Sequence, residues 1–265
     1  MVKGISKMNL GLLGKDIKYS LSPKIFKKIS KILNIKINYT LIDEEKEVFD
    51  EIINNLRLGI LDGLNITKPY KEKIIKYCDY VSEEALSIGA VNTLVSRNGK
   101  IHGFNTDLFG FGKLFDYFNS LEKEIYIFGN GASAKMVANF LESKNRKFKI
   151  VKRSVSSRIK ISENEIYYDQ LPSSNGLVIN SSIIGTDKNH KSMVSDSQLS
   201  NKEVIDLVYN YKETIYMRKS KRGINGLIML IIQALKSFEI WSKEEIQIDQ
   251  LFKIIRGEIV NELNW

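Results

Sequence analysis

The chain has 265 residues, 43% of them hydrophobic and 27% charged, a mixture typical of a globular protein long enough for two domains. A net charge of +9 favours an anionic small substrate, but the basic residues are scattered, which argues against a nucleic-acid-binding protein. The apolar runs are too short to span a membrane, and a single cysteine, Cys78, fits a cytoplasmic protein without disulfides. His102 and His190 are isolated, so no metal site is expected.

The first elements alternate between strand and helix. Apolar patterns predict a strand over residues 8–13, a helix after Pro23, a strand over residues 37–42 and a helix over residues 48–56. Pro23 suits a first helical turn, and Ser22 suits its N-cap. Capping does not explain Ser20, whose hydroxyl either contacts a carboxylate or polyol or belongs to a turn.

A polar corner follows at residues 63–71, which read GLNITKPYK. The pattern predicts a short strand and then a helix that begins at Pro69. Asn65 and Thr67 would share one face of that strand. Lys71 would lie in the first helical turn, where the helix dipole disfavours a cation. It is therefore either a substrate ligand or a solvated lysine on an ordinary helix.

A second polar corner ends at Asp107. Residues 85–95 lead into a further strand, and Asn98-Gly99 predicts a type I′ hairpin turn. The return strand delivers Asp107, which is an N-cap of the next helix, a functional carboxylate, or both. Lys71 and Asp107 are the ionisable groups at these corners, among the amides and hydroxyls of Asn65, Thr67, Asn92, Thr93, Asn105 and Thr106.

From residue 125 the pattern becomes that of a dinucleotide-binding unit. The pattern predicts a short strand, then a glycine-rich turn, a helix through Leu141 and a strand over residues 147–151. Gly129 permits the tight turn, and Gly131 lets the backbone approach a pyrophosphate. Ala134 stands where the third glycine of such a turn would pack the helix on the strand.

Basic residues end the second strand of this unit. Lys152, Arg153 and Ser154 stand where an acidic residue would bind the ribose of NAD. Cations there suit a 2′-phosphate, so the cofactor is expected to be NADP rather than NAD. The alternative is a chance basic pair in a lysine-rich chain.

The remaining elements complete an alternating pattern. Strands are predicted over residues 177–179 and 204–208, and residues 223–241 predict a loop and then an apolar helix. Gln233 is an isolated amide on that helix, either bonded to backbone or in contact with a ligand. A final amphipathic helix over residues 251–263 is expected to pack on the first domain.

Taken together, these motifs resemble the shikimate dehydrogenase family over essentially the whole chain. The resemblance rests on the serines at 20–22, NITKPYK at 65–71, GAVNT at 89–93, NTD at 105–107, GNGASA at 129–134, DLVYN at 206–210 and MLIIQALKSF from Met229. It implies an α/β fold: an N-terminal mixed or parallel α/β substrate domain and a Rossmann-type doubly wound NADP-binding domain, with a cleft between them. The implied boundaries are 1–106 with 227–265 for substrate and 107–226 for NADP.

The resemblance also implies an activity. The protein would be a cytoplasmic, NADP-dependent enzyme that reversibly reduces 3-dehydroshikimate to shikimate, on the route to chorismate and the aromatic amino acids. It would act as a monomer or homodimer, without nucleic acid, membrane or metal. There are two alternatives: a quinate/shikimate dehydrogenase that uses NAD, and a catalytically silent NADP-binding regulator.

Residue roles follow from the same resemblance. Lys71 and Asp107 would be catalytic. Substrate would be held by Ser20, Ser22, Thr67, Lys71, Asn92, Asp107, Tyr209 and Gln233. The NADP-binding site would be lined by Glu83, Gly129, Asn130, Gly131, Ala132, Ser133, Lys152, Arg153, Ser154, Leu207 and Gly226. Because burial lowers the pKa of a lysine and a neighbouring carboxylate raises it, the catalytic pair is treated as one coupled unit that shuttles the hydroxyl proton.

Overall fold

The computed structural model describes residues 5–44, 48–121, 124–153 and 164–265, which form two compact units. The first unit comprises Met1–Gly110 and Leu230–Trp265, and the second comprises Phe111–Met229. The chain passes between the units within two helices, α4 (Thr106–Phe118) and α7 (Leu227–Ser242). Among the described residues each unit has its own six-stranded sheet, so the predicted α/β class is confirmed.

The sheet of the first unit is mixed. Its strands are β1 (Lys7–Gly14), β2 (Lys36–Asp43), β3 (Gly63–Ile66), β4 (Tyr80–Val81), β5 (Thr93–Arg97) and β6 (Lys100–Phe104), in the order β2-β1-β3-β5-β6-β4. β1 runs parallel to both of its neighbours, and β5 is antiparallel to both of its own. β1 is almost wholly buried, which explains its continuous apolar sequence. Positive φ at Asn98 and Gly99 confirms the predicted hairpin turn.

Helices cover this sheet. They are α1 (Ser22–Leu33), α2 (Phe49–Arg57), α3 (Glu83–Ile88) and α8 (Ile248–Glu262), with a 3₁₀ helix at Lys73–Tyr77. α8 packs against α1, as the sequence predicts, and Lys28 forms ion pairs there with Glu258 at 3.0 Å and with Glu262.

Pro23 lies in the first turn of α1, as the sequence predicts, but one predicted N-cap and one predicted helix start are wrong. Leu21, not Ser22, is the N-cap residue of α1, and the Ser20 hydroxyl accepts the Ser22 N–H at 3.2 Å. Pro69 follows a cis peptide bond inside a turn, and the next helix begins only at residue 73. The turn is held by Tyr70, which is buried and donates its hydroxyl to the Glu44 carbonyl at 2.7 Å. This tertiary contact outweighs the local preference of proline for a helix start.

The sheet of the second unit is wholly parallel among its described strands. They are β7 (Ile125–Phe128), β8 (Lys149–Lys152), β9 (Glu165–Tyr167), β10 (Gly176–Asn180), β11 (Lys202–Asp206) and β12 (Arg222–Asn225), with helices α5 (Ala132–Ser143) and α6 (Asp196–Leu199) and 3₁₀ turns at Tyr168–Gln170 and Met217–Lys219. The strand order is β9-β8-β7-β10-β11-β12. From β7 the chain adds β8 and β9 on one side and then returns to add β10, β11 and β12 on the other, which is the doubly wound arrangement that the sequence predicts.

Packing at Gly63 gives a stability prediction. A Cβ atom at this residue would overlap the indole of Trp241, which is buried and donates to the Leu94 carbonyl at 2.9 Å. We expect Gly63→Ala to lower the free energy of unfolding of the first unit by about 1–3 kcal/mol, because the indole cannot move freely. Urea unfolding followed by tryptophan fluorescence measures this, since Trp241 and Trp265 both lie in the first unit.

The matched control is Gly257→Ala in the interior of α8. A Cβ there meets nothing within 4 Å, so the substitution is expected to be neutral or to stabilise by up to about 1 kcal/mol. Equal effects of the two substitutions would contradict the proposed overlap with the indole.

Candidate active site

A lysine and a carboxylate meet in the first unit. Lys71 lies in the turn after β3, and Asp107 lies in the first turn of α4. The Lys71 Nζ is 2.5 Å from the Asp107 Oδ2, and the two side chains are 18% and 14% exposed. The pair is thus largely shielded from water but still reachable by a small ligand, so it can exchange a proton with a bound hydroxyl group.

The backbone around the pair fixes its geometry. The Val91 N–H donates to the Lys71 carbonyl at 2.9 Å. The Asn105 Oδ1 accepts the N–H groups of Asp107 at 3.1 Å and Leu108 at 3.4 Å, so Asn105 caps α4. The interpretation of Asp107 as the helix N-cap is therefore wrong. Its carboxylate is left to bond to Lys71.

Asn92 lies at the centre of a buried polar network in the same unit. Its Oδ1 accepts the Thr106 N–H at 2.8 Å and the Thr93 hydroxyl at 3.0 Å. Its Nδ2 donates to the Thr106 Oγ1 at 2.9 Å and to the Gln233 Oε1 at 3.5 Å. Because Thr106 directly precedes Asp107, this network also positions the start of α4.

Gln233 shows the backbone bonding that a buried amide requires. Its Nε2 donates to the Leu230 carbonyl at 2.8 Å, and its Oε1 accepts the Thr106 hydroxyl at 3.4 Å. The side chain is buried on α7. Its predicted contact with a ligand stays a prediction.

Asn65 extends the network to Tyr39 and Ser237, two residues for which the sequence motifs predict no role. The Asn65 Nδ2 donates to the Thr93 Oγ1 at 3.1 Å and to the Ser237 Oγ at 3.0 Å, while its Oδ1 accepts the Tyr39 hydroxyl at 2.9 Å. Ser237 follows Gln233 by four residues on α7, and that spacing places both on one helix face. This spacing was the available signal for Ser237.

The hydroxyl residues named from the sequence follow the carboxyl ends of neighbouring parallel strands. Ser20 and Ser22 follow β1, and Thr67 follows β3, where Leu13 and Ile66 are paired in the parallel ladder. Ser22 is buried, whereas Ser20 and Thr67 are half-buried. Carboxyl ends of parallel strands are where ligands gather in such sheets, so the placement suits a polar ligand.

The glycine-rich turn of the second unit fits a dinucleotide. Gly129 has a φ of +110°, which favours glycine, and a Cβ there would lie 3.1 Å from the Ser181 backbone carbon. Gly131 faces open space, since a Cβ there meets nothing within 4 Å. The first N–H groups of α5, which begins at Ala132, lack acceptors within the helix and can bind a phosphate. Asn130 belongs to the same turn, whereas Ser133 lies in the first turn of α5.

Leu207 and Gly226 are in close contact in the second unit. A Cβ at Gly226 would overlap the Leu207 carbonyl, and the Gly226 N–H donates to the Val208 carbonyl at 3.1 Å. Tyr209 follows in the same loop and is half-buried. The predicted loop at Gly223 is wrong, because Arg222–Asn225 forms the edge strand β12. Its sequence, RGIN, has a single large apolar residue and so gives no strand pattern.

Asp206 anchors this loop from the end of β11. Its Oδ1 accepts the Asn180 Nδ2 at 2.8 Å and the Val208 N–H at 3.1 Å, and its Oδ2 accepts the Thr214 hydroxyl at 2.5 Å. The side chain is fully buried. Burial raises the pKa of Asp206 to about 6, partly offset by these hydrogen bonds.

The remaining cofactor candidates are spread over both units. Lys152 forms an ion pair with Glu165, and Arg153 is exposed just after β8. Ser154 lies outside the described residues. Glu83 is exposed in the first turn of α3, in the first unit.

No helix in the described part of the chain combines the length and the apolar character that a membrane span requires. Within the same ranges, no group of three or more histidine, cysteine or acidic residues is placed to hold a metal ion.

The chain is similar to known proteins over nearly its whole length. Residues 12–94 match the family model for the shikimate dehydrogenase substrate binding domain. A shikimate dehydrogenase (NADP(+)) of Clostridium beijerinckii is 32% identical, with 93% of this chain and 95% of that protein covered. One from Clostridium perfringens strain 13 is 34% identical, with 96% and 97% covered.

A solved structure shares the architecture. The crystal structure of shikimate dehydrogenase 1 from Peptoclostridium difficile has 32% sequence identity and a TM-score of 0.83, with 95% of this chain and 97% of that chain covered. The resemblance predicted from the motifs is therefore confirmed.

Proposed function

The chain belongs to the shikimate dehydrogenase family, and we propose on that premise that it interconverts 3-dehydroshikimate and shikimate with NADP as its cofactor. The observation that carries the proposal is the contact between Lys71 and Asp107, 2.5 Å apart and largely buried. Secondary-alcohol oxidation needs a group that takes the hydroxyl proton, and this pair supplies one. The two shikimate dehydrogenases (NADP(+)) compared above each match this chain over at least 95% of their own length.

The pair acts on the reacting hydroxyl as a unit. NADP, when bound, supplies the hydride acceptor for oxidation and the donor for reduction. In the oxidation, Lys71 and Asp107 bind the hydroxyl and take up its proton; in the reduction, they return a proton to the same oxygen. Asn105 and Asn92 hold the start of α4 and thereby keep the Asp107 carboxylate in place. Because both partners are largely buried, little water competes with the substrate for them.

The further substrate contacts are proposed from the same family membership. The polar groups assigned to the carboxylate and hydroxyls of shikimate are Ser20, Ser22, Thr67, Asn92, Tyr209 and Gln233. The half-buried hydroxyls at the carboxyl ends of β1 and β3 support this assignment. The substrate domain is assigned to residues 1–106 with 227–265.

The cofactor contacts are proposed for residues 107–226, with Glu83 from the first unit. They comprise Gly129 to Ser133, Lys152, Arg153, Ser154, Leu207 and Gly226. The open space at Gly131 and the N-terminus of α5 support a pyrophosphate at the glycine turn. We further assign the enzyme to the cytoplasm, which a single unpaired cysteine fits, as a monomer or homodimer.

One assay tests the proposal. Purified protein is given 3-dehydroshikimate with NADPH or with NADH, and the reverse reaction is run with shikimate or quinate. Turnover with NADPH and 3-dehydroshikimate that exceeds the NADH rate is expected. A preference for NAD with activity on quinate would favour the quinate/shikimate dehydrogenase. NADPH binding without any turnover would favour a silent regulator.

A further inference from the structure

The inference concerns the segment that follows β10, residues 181–190, here called the β10 turn, and it rests on the proposed function. We propose that His190 is a positioning residue for the reaction: its neutral imidazole holds the β10 turn against the loop at residues 207–212, here called the β11 loop. That loop carries Leu207, assigned to the cofactor, and Tyr209, assigned to the substrate. His190 therefore acts on both assigned contacts through the backbone of the loop.

The His190 imidazole accepts two backbone N–H groups. The Gly185 N–H donates to its Nδ1 at 3.1 Å, and the Asp187 N–H donates to the same atom at 3.4 Å. A ring nitrogen that accepts hydrogen bonds carries no proton, so the imidazole is neutral and its proton is on Nε2. The backbone N–H of His190 donates to the Asp187 carbonyl at 3.1 Å. The half-buried His190 thus closes the β10 turn from its carboxyl end.

One peptide unit of the β10 turn is bonded at both of its polar groups. The Ile184 carbonyl accepts the Asn180 Nδ2 at 3.0 Å, and the Gly185 N–H, on the other side of the same peptide bond, donates to His190. The Asn180 Nδ2 also donates to Asp206, which anchors the β11 loop. Because both polar groups are bonded, the peptide unit cannot rotate without breaking one of these bonds. Loss of the His190 acceptor releases one side of it.

The β10 turn lies directly against the β11 loop. A Cβ atom on Gly185 would be 3.9 Å from the Val208 Cγ2, which is van der Waals contact. The Thr186 carbonyl accepts the Asn210 Nδ2 at 3.5 Å and the Tyr211 hydroxyl at 3.4 Å. Val208 and Asn210 are the two neighbours of Tyr209 in the chain, so a shift of the β10 turn displaces the backbone on both sides of Tyr209.

Protonation of His190 would remove the acceptor. Histidine gains its second proton within about pH 5–8, and an imidazolium is a donor at both nitrogens, so the Nδ1 would then face two N–H groups as a donor itself. Burial raises the pKa of Asp206 to about 6, so Asp206 titrates in the same range and must be separated from His190 by experiment. The charged residues of the two packed segments are Asp187, Lys188 and Lys191 in or beside the β10 turn, and Asp206, Lys212 and Glu213 in or beside the β11 loop.

Hydrogen exchange of the full chain tests the contact without any turnover. His190→Asn keeps an acceptor oxygen close to the place of Nδ1 and does not titrate, whereas His190→Leu has no acceptor. At about pH 8 we expect the Gly185 and Asp187 amides to exchange at the wild-type rate in His190→Asn and about five- to tenfold faster in His190→Leu. At about pH 5.5 the wild-type protein should exchange these amides as fast as His190→Leu does, with the three proteins compared at the same pH.

Steady-state rates show whether the contact serves the reaction. At about pH 8, kcat/KM for shikimate is expected to be unchanged in His190→Asn and about five- to tenfold lower in His190→Leu. The ratio of wild type to His190→Asn should fall by the same factor as the pH is lowered to about 5.5, because Lys71, Asp107 and Asp206 are common to both proteins and cancel. The control is His102→Asn, at the other histidine of the chain, and it is expected to change neither readout.

The contrary results are distinct. Wild-type exchange rates in His190→Leu, or a ratio of wild type to His190→Asn that does not vary with pH, would overturn the inference. The second of these needs no His190→Leu protein and holds even where that variant does not fold. Faster exchange in His190→Leu with unchanged kcat/KM would also overturn it, since the contact would then be structural only. The expected exchange rates in a protein without shikimate turnover would count against the proposed function alone.

Discussion

Replacing Lys71 by methionine is expected to lower kcat for shikimate oxidation by about 10²–10⁴-fold, the usual range for a positioned proton-transfer group. Methionine keeps an unbranched apolar stem of similar length but has no ammonium group. We expect KM to change by only a few-fold, because the other proposed contacts to the carboxylate and hydroxyls remain. Steady-state rates with saturating NADP measure both constants.

The matched control is Lys76→Met, five residues further along the chain. Lys76 is exposed on the 3₁₀ helix and lies 5.2 Å from the Tyr77 ring centroid, so its loss removes the same charge from the same segment. It is expected to leave kcat unchanged. Wild-type kcat in Lys71→Met, or an equal fall in both variants, would remove Lys71 from the mechanism.

The coupling of the pair gives a second measurement on the same variant. Asp107→Asn added to Lys71→Met is expected to lower kcat by much less than the product of the two single effects, because groups that act as a unit are non-additive. Full additivity would show that the 2.5 Å contact between the two side chains does not reflect a shared role.

Buried strands of the fold were predictable from the sequence, because a strand that is buried on both faces needs a continuous run of apolar residues. β1 and β7 are examples, and both appear where the sequence predicts them. The strands at the sheet edges were not predictable in this way. The strand β12 has only Ile224 as a large apolar residue, and β9 has three residues. At an edge, backbone pairing with one neighbour decides the structure, and side-chain pattern carries little of that information.

The polar network shows the same limit at the candidate site. Asn92 was identified by its motif, but the contact of Ser237 with Asn65 joins residues 172 positions apart. Such a pairing follows from how α7 lies against the sheet, which local spacing does not specify. The helix expected at Pro69 failed for the related reason that the buried Tyr70 fixes the turn. Spacing thus predicted which residue types gather, and packing decided which of them bond.

The buried carboxylate of Asp206 is expected to make the second unit less stable as the pH rises from about 4 to about 6. The folded protein holds this proton with a pKa of about 6, against an ordinary value of 3.8. Between these values the folded state binds more protons than the unfolded state, so unfolding becomes easier as pH rises. The full difference is on the order of 3 kcal/mol and is reached above pH 6.

Comparison with Asp206→Asn isolates this contribution. Asparagine keeps an oxygen for the Asn180 amide and the Val208 N–H, and its own amide can donate to the Thr214 hydroxyl, but it does not titrate. Urea unfolding is followed by far-ultraviolet circular dichroism, since both tryptophans report on the first unit. The stability of wild type relative to Asp206→Asn should fall across this pH range. The exposed Asp116→Asn serves as the control.

A pH-independent difference between wild type and Asp206→Asn would show that the carboxylate is not penalised by burial. The expected penalty has a structural counterpart: the carboxylate ties the end of β10 at Asn180 to the backbone just after Leu207. Gly226 packs so closely on the Leu207 carbonyl that a side chain there would collide with it. Because the loop tolerates so little displacement, an acceptor that binds three donors at once suits this position even though its charge is buried.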